Sequence, residues 1–595
     1  MKRVQILALI FSLFLTAYAA RLYDLQIRRY DQYRGQSQQN YLRDEVIRSL
    51  RGEIRTRDGV LLATNRIAVD LIYRGGPVEA WDRIRYLAKI KDPQLPELPA
   101  GQKEMVLAAN VPAGAIPALE ELSVLQPALE LRQRVERYYP QGKLAGNLIG
   151  YTSEANEQEV ESGAYILGDA VGRSGLEAGF QQQLHGVNGL KLVEVDSQGR
   201  RISERIEREG KKGEDIVLTL DSRLQRAAEK ALTEGLSDIN KGRAHYGLPP
   251  EKVVKGAIIA LDPRNNEVLA MATAPSIDPN WFSRSPRPKE LVEALTGPDA
   301  GLLNRAVQPY APGSVFKPTT TNAYFERFGN KTFTCTPGIV FGGYYKKNWA
   351  RYNMGPMDGR GAIAQSCNTW YYQASIDAGT LTFSDIIADR AREFGFGSPT
   401  GLELIGEKGG LVQSARDFKA RNQPWYPGET LNYSIGQGAL LVTPAQIALS
   451  LSTIVNEGKK RPLTLLKSVA GRPVPRKPAV QVPGQTKYWK LTKEGMEWTV
   501  SRGTSKHVLG PDLFPVRTAG KTGTAQTGRR AGYEHSWYEG YGPVGNPNLL
   551  VVAFFEYGGE GSGVALPAVK KVMAAYWDIP LDKDGHVIRE EHATR

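Results

Sequence analysis

The hydrophobic pattern begins with an uncharged run at residues 4–20, close to the start of the chain. A run of this length is at the short end for a bilayer-spanning helix and slightly long for a signal-peptide core. Residues 17–19, Ala-Tyr-Ala, resemble a cleavage site, whereas helically spaced apolar positions continue to Ile27. The pattern predicts a cytoplasmic tail at residues 1–3 and a transmembrane helix at residues 4–24, with a cleaved signal peptide as the alternative. Under either prediction the rest of the chain is exported.

Residues 25–215 alternate in short apolar and polar segments separated by turn residues. Alternation around Ile54, followed by Asp58-Gly59, predicts a β-hairpin. Residues 115–126 have the spacing of a short amphipathic helix. The charged residues 200–215 are expected to form a solvated connection. This half brings no nucleophile, base and metal ligands together in sequence, so we predict a β-rich, non-catalytic domain.

The remaining pattern predicts a second domain at residues 216–580 and a C-terminal tail at residues 581–595. Residues 216–235 have the pattern of a strand followed by an amphipathic helix. Two apolar runs, at residues 256–263 and 267–272, then indicate a buried hairpin in the middle of a sheet. The mixture of separate strands and helices predicts an α+β multidomain protein.

Composition narrows the class of protein. The chain has 595 residues, more than one hydrophobic core usually holds, and its hydrophobic content of 41% is that of globular domains. The net charge of +13 favours anionic lipid or an anionic envelope polymer as a partner. No nucleic-acid motif accompanies it, so we expect no nucleic-acid partner. The two cysteines, Cys335 and Cys367, leave open one disulfide bridge or a small buried apolar role for Cys367.

Candidate chemistry first appears where Ser314 and Lys317 lie three residues apart after a Pro-Gly break. If Ser314 opens a helix, the amine of Lys317 lies one turn later on the same face. A desolvated lysine can take the proton of a serine hydroxyl and make it a nucleophile. The Ser314 amide, in the first turn, can point at a developing oxyanion. This spacing alone is weak evidence, because it also fits an ordinary helix start.

Two later motifs strengthen the prediction, since each occurs once and in the order of a serine acyl-transfer site. In Ser366-Cys367-Asn368, Ser366 can relay a proton to a leaving amine and Asn368 can hold Lys317 or a substrate amide. In the next motif, Lys521 provides positive potential for a substrate carboxylate. The substrate-binding candidates are Thr522, Gly523 and Thr524, where Gly523 permits close backbone approach and Thr524 donates the second oxyanion N–H.

Other hydrolytic sites fit the sequence poorly. The chain lacks Gly-x-Ser-x-Gly, and of its six histidines only His535 lies near a motif, where we expect a structural role or a position lining the cleft. Neither His-Glu-x-x-His nor a cysteine pair with zinc-ligand spacing occurs. We therefore expect no metal and no cofactor in the reaction.

Together the three motifs resemble those of the class B penicillin-binding proteins, which are membrane-anchored D,D-transpeptidases. Residues 51–63, 137–142 and 172–177 also resemble the pedestal segments of that family, so the resemblance covers nearly the whole chain. The Gly436-Gln437-Gly438 run and residues 535–543 are similar to the elongation type, penicillin-binding protein 2. The chain departs from the family at Thr56, Asn147 and Gly542, where aspartate, histidine and alanine are usual.

The resemblance implies a single-pass protein of the bacterial inner membrane, with an elongated pedestal and a C-terminal domain whose antiparallel sheet has helices on both faces. It implies that Ser314 attacks the D-Ala-D-Ala end of peptidoglycan stem peptides and that β-lactams trap it. It also implies a partner, a polytopic membrane glycan polymerase of the shape-elongation-division class. Three alternatives stay open: a division-type transpeptidase, a β-lactamase-like hydrolase, and a non-catalytic β-lactam-binding sensor or scaffold.

Overall fold

The structure is a computed structural model that describes residues 2–31, 42–196, 201–245, 252–284, 287–529 and 532–588. The chain forms two compact units. The first comprises Met1–Gly52 and His185–Gly213, and the second comprises Glu53–Leu184 and Glu214–Arg595. Each unit therefore contains two separate segments of the chain, and the N-terminal half contributes to both.

The first unit contains the N-terminal helix and a small sheet. The helix runs over Lys2–Tyr23 and continues as a π-helical turn, Asp24–Arg28. It is the one helix among the described residues that is long and apolar enough to cross a membrane. The sheet is antiparallel, in the order Leu42–Ile47, Gly189–Val195, Arg201–Arg208.

The charged stretch at residues 200–215 differs from its prediction as a solvated connection, because Arg201–Arg208 forms a strand. Ile202 and Ile206 are both exposed there, and the strand's backbone pairs with Gly189–Val195. Backbone pairing with a distant partner strand thus stabilises a segment that charge alone marks as a connection.

The second unit begins with the predicted hairpin. Ile54–Arg55 pairs antiparallel with the long strand Leu61–Tyr73, and the Thr56 hydroxyl accepts a hydrogen bond from Val60 N at 2.9 Å to close the turn. Ile54–Arg55 also pairs in parallel with Ile216–Leu218, so the hairpin belongs to a larger sheet. The other strands of that sheet are Met105–Ala108, Leu129–Tyr138, Leu466–Val469 and Arg472–Pro473.

A five-stranded antiparallel sheet forms the centre of the second unit, which confirms the predicted fold class. Its order is Glu267–Ala274, Gly256–Asp262, Leu549–Phe555, His535–Gly542, Ala519–Ala525. The predicted hairpin is present, but Glu267–Ala274 lies at one edge of this sheet rather than in its middle. The backbone of Thr464 covers the start of that edge, where Val268 N donates to its carbonyl oxygen. At the opposite edge lies Ala519–Ala525, which contains Lys521.

The strands of the central sheet are buried on both sides, because helices cover both faces of the sheet. Ser222–His245 and Ala565–Tyr576 pack on one face. The larger hydrophobic core lies on the other face and contains the helices Lys317–Phe328, Asn368–Asp377, Thr380–Phe394, Pro444–Val455 and Thr486–Ser501.

Shorter elements connect these layers. The remaining α-helices are Trp81–Ala88, Ile116–Leu125, Gly146–Ile149, Glu157–Glu161, Gly175–Gly179, Gln181–Leu184, Lys289–Thr296, Gly359–Ala364, Ala415–Ala420, Pro427–Ser434 and Lys506–Leu509. The 3₁₀ turns are Ala113–Ala115, Pro279–Ser283, Arg305–Val307 and Gly313–Phe316. The two-stranded pairs are Thr152–Glu154 with Ala170–Gly172, Phe333–Cys335 with Gly355–Met357, Gly338–Phe341 with Tyr344–Lys347, Leu411–Val412 with Leu440–Leu441, and Lys459–Lys460 with Val480–Gln481.

Candidate active site

Ser314 lies on the 3₁₀ turn Gly313–Phe316, which leads directly into the helix Lys317–Phe328. Lys317 therefore follows Ser314 by one turn, as the spacing predicts. Gly313 has a φ of +56°, a conformation that glycine adopts without a Cβ penalty, and its N–H donates to the carbonyl oxygen of Gly436 at 2.9 Å. The turn presents Ser314 at a helix start, where N–H groups lack intrahelical acceptors.

The Lys317 amine is fully buried and points at the second motif. Its Nζ donates to Asn368 Oδ1 at 2.7 Å and to the Ser366 carbonyl oxygen at 2.8 Å, and it lies within hydrogen-bond distance of Ser366 Oγ, at 3.3 Å. It also lies 5.0 Å from the centre of the Tyr371 ring. The structure thus brings the first and second motifs together through one amine, and Asn368 holds Lys317, one of its two predicted contacts.

Ser366 lies in the short loop between the helices Gly359–Ala364 and Asn368–Asp377. Its φ of +53° is in the left-handed region, which costs a non-glycine residue about 1 kcal/mol or more. The loop is attached at Cys367, which forms a disulfide with Cys335 and whose Sγ also accepts from Trp370 N at the helix start. The packing therefore holds Ser366 in a conformation that it would rarely adopt alone.

Lys521 brings the third motif to the same hydroxyl group. Its Nζ donates to Ser366 Oγ at 2.9 Å and to the Thr522 carbonyl oxygen at 2.7 Å. Ser366 Oγ thus lies between the amines of Lys317 and Lys521. A hydroxyl in this position can pass a proton between two nitrogen atoms.

Burial changes the protonation of both amines. Burial holds the pKa of Lys317 well below its ordinary value, and the nearby charge of Lys521 lowers it further. Burial also lowers the pKa of Lys521, to about 7, although the carboxyl group of Glu539 opposes this shift. A neutral Lys317 amine can accept a proton from a hydroxyl group near neutral pH.

The substrate-binding candidates lie along the edge strand. Thr524 is exposed, and its Oγ1 accepts from Gly561 N at 3.3 Å. Thr522 shares a 2.7 Å hydrogen bond with the hydroxyl of Thr504. A Cβ at Gly523 would lie 2.7 Å from Val315 Cγ1, so the missing side chain lets the strand pack against the Ser314 turn. That packing is a second reason for glycine besides the predicted approach of a substrate backbone.

Four further residues lie around the site but belong to none of the three motifs, namely Asn348, Gly436, Thr504 and Glu539. Asn348 Oδ1 accepts from Asn368 N at 2.9 Å, and a Cβ at Gly436 would lie 2.1 Å from the Gly313 carbonyl oxygen. Only Gly436 carried a signal, as part of the Gly-Gln-Gly run. The other contacts join residues far apart in sequence, which no local pattern indicates.

His535 has the structural role expected of it. Its Nδ1 accepts from Tyr557 N at 3.2 Å, and its ring packs against Tyr310, Phe554 and Tyr557. Burial lowers its pKa to about 4, so the ring is neutral at neutral pH. Among the described residues, no three His, Cys, Asp or Glu side chains gather where they could hold a metal ion. That no metal takes part remains a prediction.

The disulfide decides between the two interpretations of the cysteines. Cys335, at the end of the strand Phe333–Cys335, is covalently bonded to Cys367. Cys367 is buried, but it is not the free apolar side chain that was one of the interpretations. The disulfide closes a loop between two residues 32 positions apart, and one end of that loop, Cys367, lies between Ser366 and Asn368.

Comparison with known proteins agrees with this geometry. Residues 256–574 match the penicillin-binding protein transpeptidase domain, and residues 46–218 match the penicillin-binding protein dimerisation domain. The chain is 29% identical to the Peptidoglycan D,D-transpeptidase MrdA of Escherichia coli strain K12, over 92% of this chain and 89% of that protein. Similarity to the Peptidoglycan D,D-transpeptidase FtsI of the same strain is 27% identity, over 79% of this chain and 75% of that protein.

Solved structures give the same assignment. One similar chain comes from a structure described as structural coordination of polymerization and crosslinking by a peptidoglycan synthase complex. It is 50% identical with a TM-score of 0.80, and the match covers 97% of this chain and 99% of that chain. Penicillin-binding protein 2 of Pseudomonas aeruginosa, solved with WCK 5153, is 28% identical with a TM-score of 0.65. The match covers 93% of this chain and 99% of that chain. The chain therefore belongs to the penicillin-binding protein family, as a class B member of the elongation type with a dimerisation domain and a transpeptidase domain.

Proposed function

We propose that this chain is a serine D,D-transpeptidase that crosslinks the stem peptides of peptidoglycan during lateral elongation of the cell wall. The observation that carries the proposal is a hydrogen-bonded set in which Lys317, directly after the Ser314 turn, contacts Ser366 and Asn368, and Ser366 in turn contacts Lys521. It combines a hydroxyl nucleophile, a buried amine base and a second buried amine, as acyl transfer requires. Relatives named Peptidoglycan D,D-transpeptidase supply the substrate class.

In the acylation step, the neutral amine of Lys317 takes the proton of Ser314 Oγ as the oxygen attacks the carbonyl carbon between the two D-alanines. The carbonyl oxygen becomes an oxyanion, for which the amides of Ser314 and Thr524 are the candidate donors. Ser366 passes a proton to the leaving nitrogen, the peptide C–N bond breaks, and the terminal D-alanine departs with its new N–H. The product is an ester between Ser314 and the remaining stem peptide.

In the second step, an amine of a neighbouring stem peptide attacks the Ser314 ester. The amine loses a proton through Ser366 and the lysines, the C–O bond breaks, and Ser314 Oγ regains its proton. The new peptide bond joins the two stems. A β-lactam, which resembles the D-alanyl dipeptide, would stop at the ester stage because its leaving nitrogen stays tethered. Lys521 and the Thr522–Thr524 edge would hold the carboxylate of either ligand.

The test is covalent labelling of the full-length protein in detergent with a fluorescent penicillin, followed by mapping of the modified peptide. We expect the label on Ser314, no labelling of Ser314→Ala, and an almost unchanged melting temperature for that variant. Ser501→Ala is the matched control, because the Ser501 hydroxyl donates within its own helix, to Glu497 O, and has no described contact with the site. Labelling of Ser314→Ala at the normal rate would overturn the assignment of the nucleophile.

We further propose anchoring in the bacterial cell membrane through the N-terminal helix, with the catalytic unit outside the cytoplasm. The apolar helix Lys2–Tyr23 and its extension support this location. The 50% identity to a chain of a peptidoglycan synthase complex supports a partner that polymerises glycan, which we take to be a polytopic membrane polymerase. The longer match to MrdA than to FtsI favours elongation over division.

The cellular role is tested by depleting the chain in its own bacterium. Loss of an elongation enzyme gives round cells, whereas filaments would indicate the division role and contradict this part of the proposal. A sensor would be expected to carry further membrane spans, and the described residues contain one candidate span. Slow hydrolysis of the penicilloyl ester would separate a transpeptidase from a β-lactamase-like hydrolase, which releases the adduct rapidly.

A further inference from the structure

Glu539 is a buried carboxyl group that the reaction steps above do not use. It lies in the strand His535–Gly542, directly opposite Lys521 in the antiparallel register. Residues opposite each other in such a pair project from the same face of the sheet. Trp537 and Tyr541, two positions away on either side, pack in the core on the catalytic side, whereas Tyr538 packs on the other side. Glu539 therefore faces the layer that contains Lys521, Ser366 and Lys317.

Among the described residues, Lys521 is the one charged group that acts on the Glu539 carboxyl group. Leu549–Phe555, the strand on its other side, and the helix Pro444–Val455 carry no ionisable residue. Helix Thr486–Ser501 contributes Glu497, whose charge acts on Tyr541. Lys570 and Lys571 belong to Ala565–Tyr576, on the opposite face of the sheet. Lys521 is thus the cation that faces Glu539. The other ionisable groups on its strand are His535, Tyr538 and Tyr541.

The buried site contains two amines and one carboxyl group, and the carboxyl group is opposite only one of the amines, that of Lys521. The charge of Glu539 raises the pKa of Lys521, and the charge of Lys521 lowers the pKa of Lys317. Glu539 has no comparable effect on the pKa of Lys317. Burial raises the pKa of the Glu539 carboxyl group, and the charge of Lys521 opposes that rise. Taking two ammonium groups out of water next to each other is unfavourable, so the favoured state has a single ammonium group, whose positive charge the Glu539 carboxylate balances.

We propose that Glu539 is the positioning residue that assigns this charge, keeping the proton on Lys521 and leaving Lys317 neutral as the base. Glu539 acts through Lys521 and does not touch the substrate. The two side chains make no direct ion pair within the described part of the chain, so the effect is electrostatic, through the space between neighbouring strands. The inference rests on the proposed acyl-transfer function and deepens it, because it explains how two buried lysines take opposite roles.

The test compares Glu539→Gln with the wild type in the pH dependence of acylation by a fluorescent penicillin, using the full-length protein in detergent. Activity needs Lys317 neutral, which limits the rate at low pH, and Lys521 protonated, which limits it at high pH. Without the Glu539 charge, Lys521 loses its proton at lower pH. As a general estimate, unit charges separated by about 7–10 Å at an effective dielectric of about 20 change each other's pKa by about 1–2 units. The high-pH limb should therefore move down by about 1–2 pH units.

Two further variants separate this effect from a structural one. Glu539→Asp keeps the charge at greater distance, so its high-pH limb should fall between those of the wild type and Glu539→Gln. Glu497→Gln, a carboxyl group on a neighbouring helix, is the matched control and should leave the profile unchanged. In a Lys521→Arg background, whose cation does not titrate, the high-pH limb should be absent, and adding Glu539→Gln should not restore it. Melting temperatures of all variants identify those that fold.

The outcomes are distinguishable. If the wild type is not labelled at all, the proposed function fails. A second outcome is that the wild type is labelled and that Glu539→Gln folds but has the same high-pH limb. The role of Glu539 is then overturned, while the proposed function stands. If Glu539→Gln does not fold, Glu539→Asp decides: an unshifted limb refutes the proposal, and a downward shift supports it. A rate that falls equally at every pH would also refute it, because that pattern reflects loss of structure.

Discussion

Removing the Cys335–Cys367 disulfide should destabilise the catalytic unit by an amount that the structure allows us to work out. The bridge joins residues 32 positions apart. In the chain-entropy model, such a link lowers the entropy of the unfolded chain by about 12 cal/mol/K, or about 3.7 kcal/mol near room temperature. The variant Cys335→Ser/Cys367→Ser should therefore lose about 3–4 kcal/mol of unfolding free energy. The bridge also holds the Ser366 loop, so acylation should slow by about 10- to 100-fold.

Denaturant unfolding in urea, followed by tryptophan fluorescence, measures the first effect. Trp370, one of nine tryptophans, is fully buried in the helix that begins after Cys367, so the total emission includes a signal from this region. The rate of labelling by a fluorescent penicillin measures the second effect. Reduction of the wild-type protein should reproduce both changes, whereas the same reductant should not alter the double variant.

Two results would refute this reasoning. If the double variant unfolds at the same urea concentration and with the same slope as the wild type, the bridge does not restrict the unfolded chain as calculated. If stability falls as expected but acylation keeps its normal rate, Ser366 and Asn368 are held by packing alone. The contacts of Asn368 with Lys317 and Asn348 would then be sufficient.

Two further predictions concern the base and the nucleophile turn. Lys317→Ala should slow acylation by ~10² or more and remove the low-pH limb of the rate profile, because the depressed pKa of Lys317 makes that limb; a retained limb would assign the base elsewhere. Gly436→Ala should destabilise the unit by about 2 kcal/mol or more and slow acylation, because its φ is +79° and its Cβ would collide with the Gly313 carbonyl oxygen. Gly342→Ala, at φ +56° with open space around it, is the matched control and should label at the normal rate.

Elements that depend on neighbours in sequence could be predicted from the sequence. The uncharged run at residues 4–20 predicted the helix Lys2–Tyr23, and the alternation around Ile54 predicted its hairpin. The spacing of Ser314 and Lys317 predicted their order on one helical turn. These predictions hold because helical and strand periodicities act over a few residues, where the sequence alone sets which side chains share a face.

Contacts between distant residues could not be predicted in this way. The strand Arg201–Arg208 depends on its partner Gly189–Val195, and a charged composition gives no sign of that pairing. The disulfide stayed undecided in the sequence, because only the fold shows whether two cysteines approach each other. Domain boundaries at residues 215 and 580 stay predictions, while the compact units each combine two separate segments.

The sequence by itself determined which chemical groups this protein has for acyl transfer and the order in which they occur. Only the tertiary structure decided their protonation and contacts. Lys317 reaches Ser366 and Asn368 about fifty positions away, and Lys521 faces Glu539 through strand register. The pKa of an amine depends on how much water and which charges surround it. Those surroundings exist only once helices and strands from distant parts of the chain have packed together.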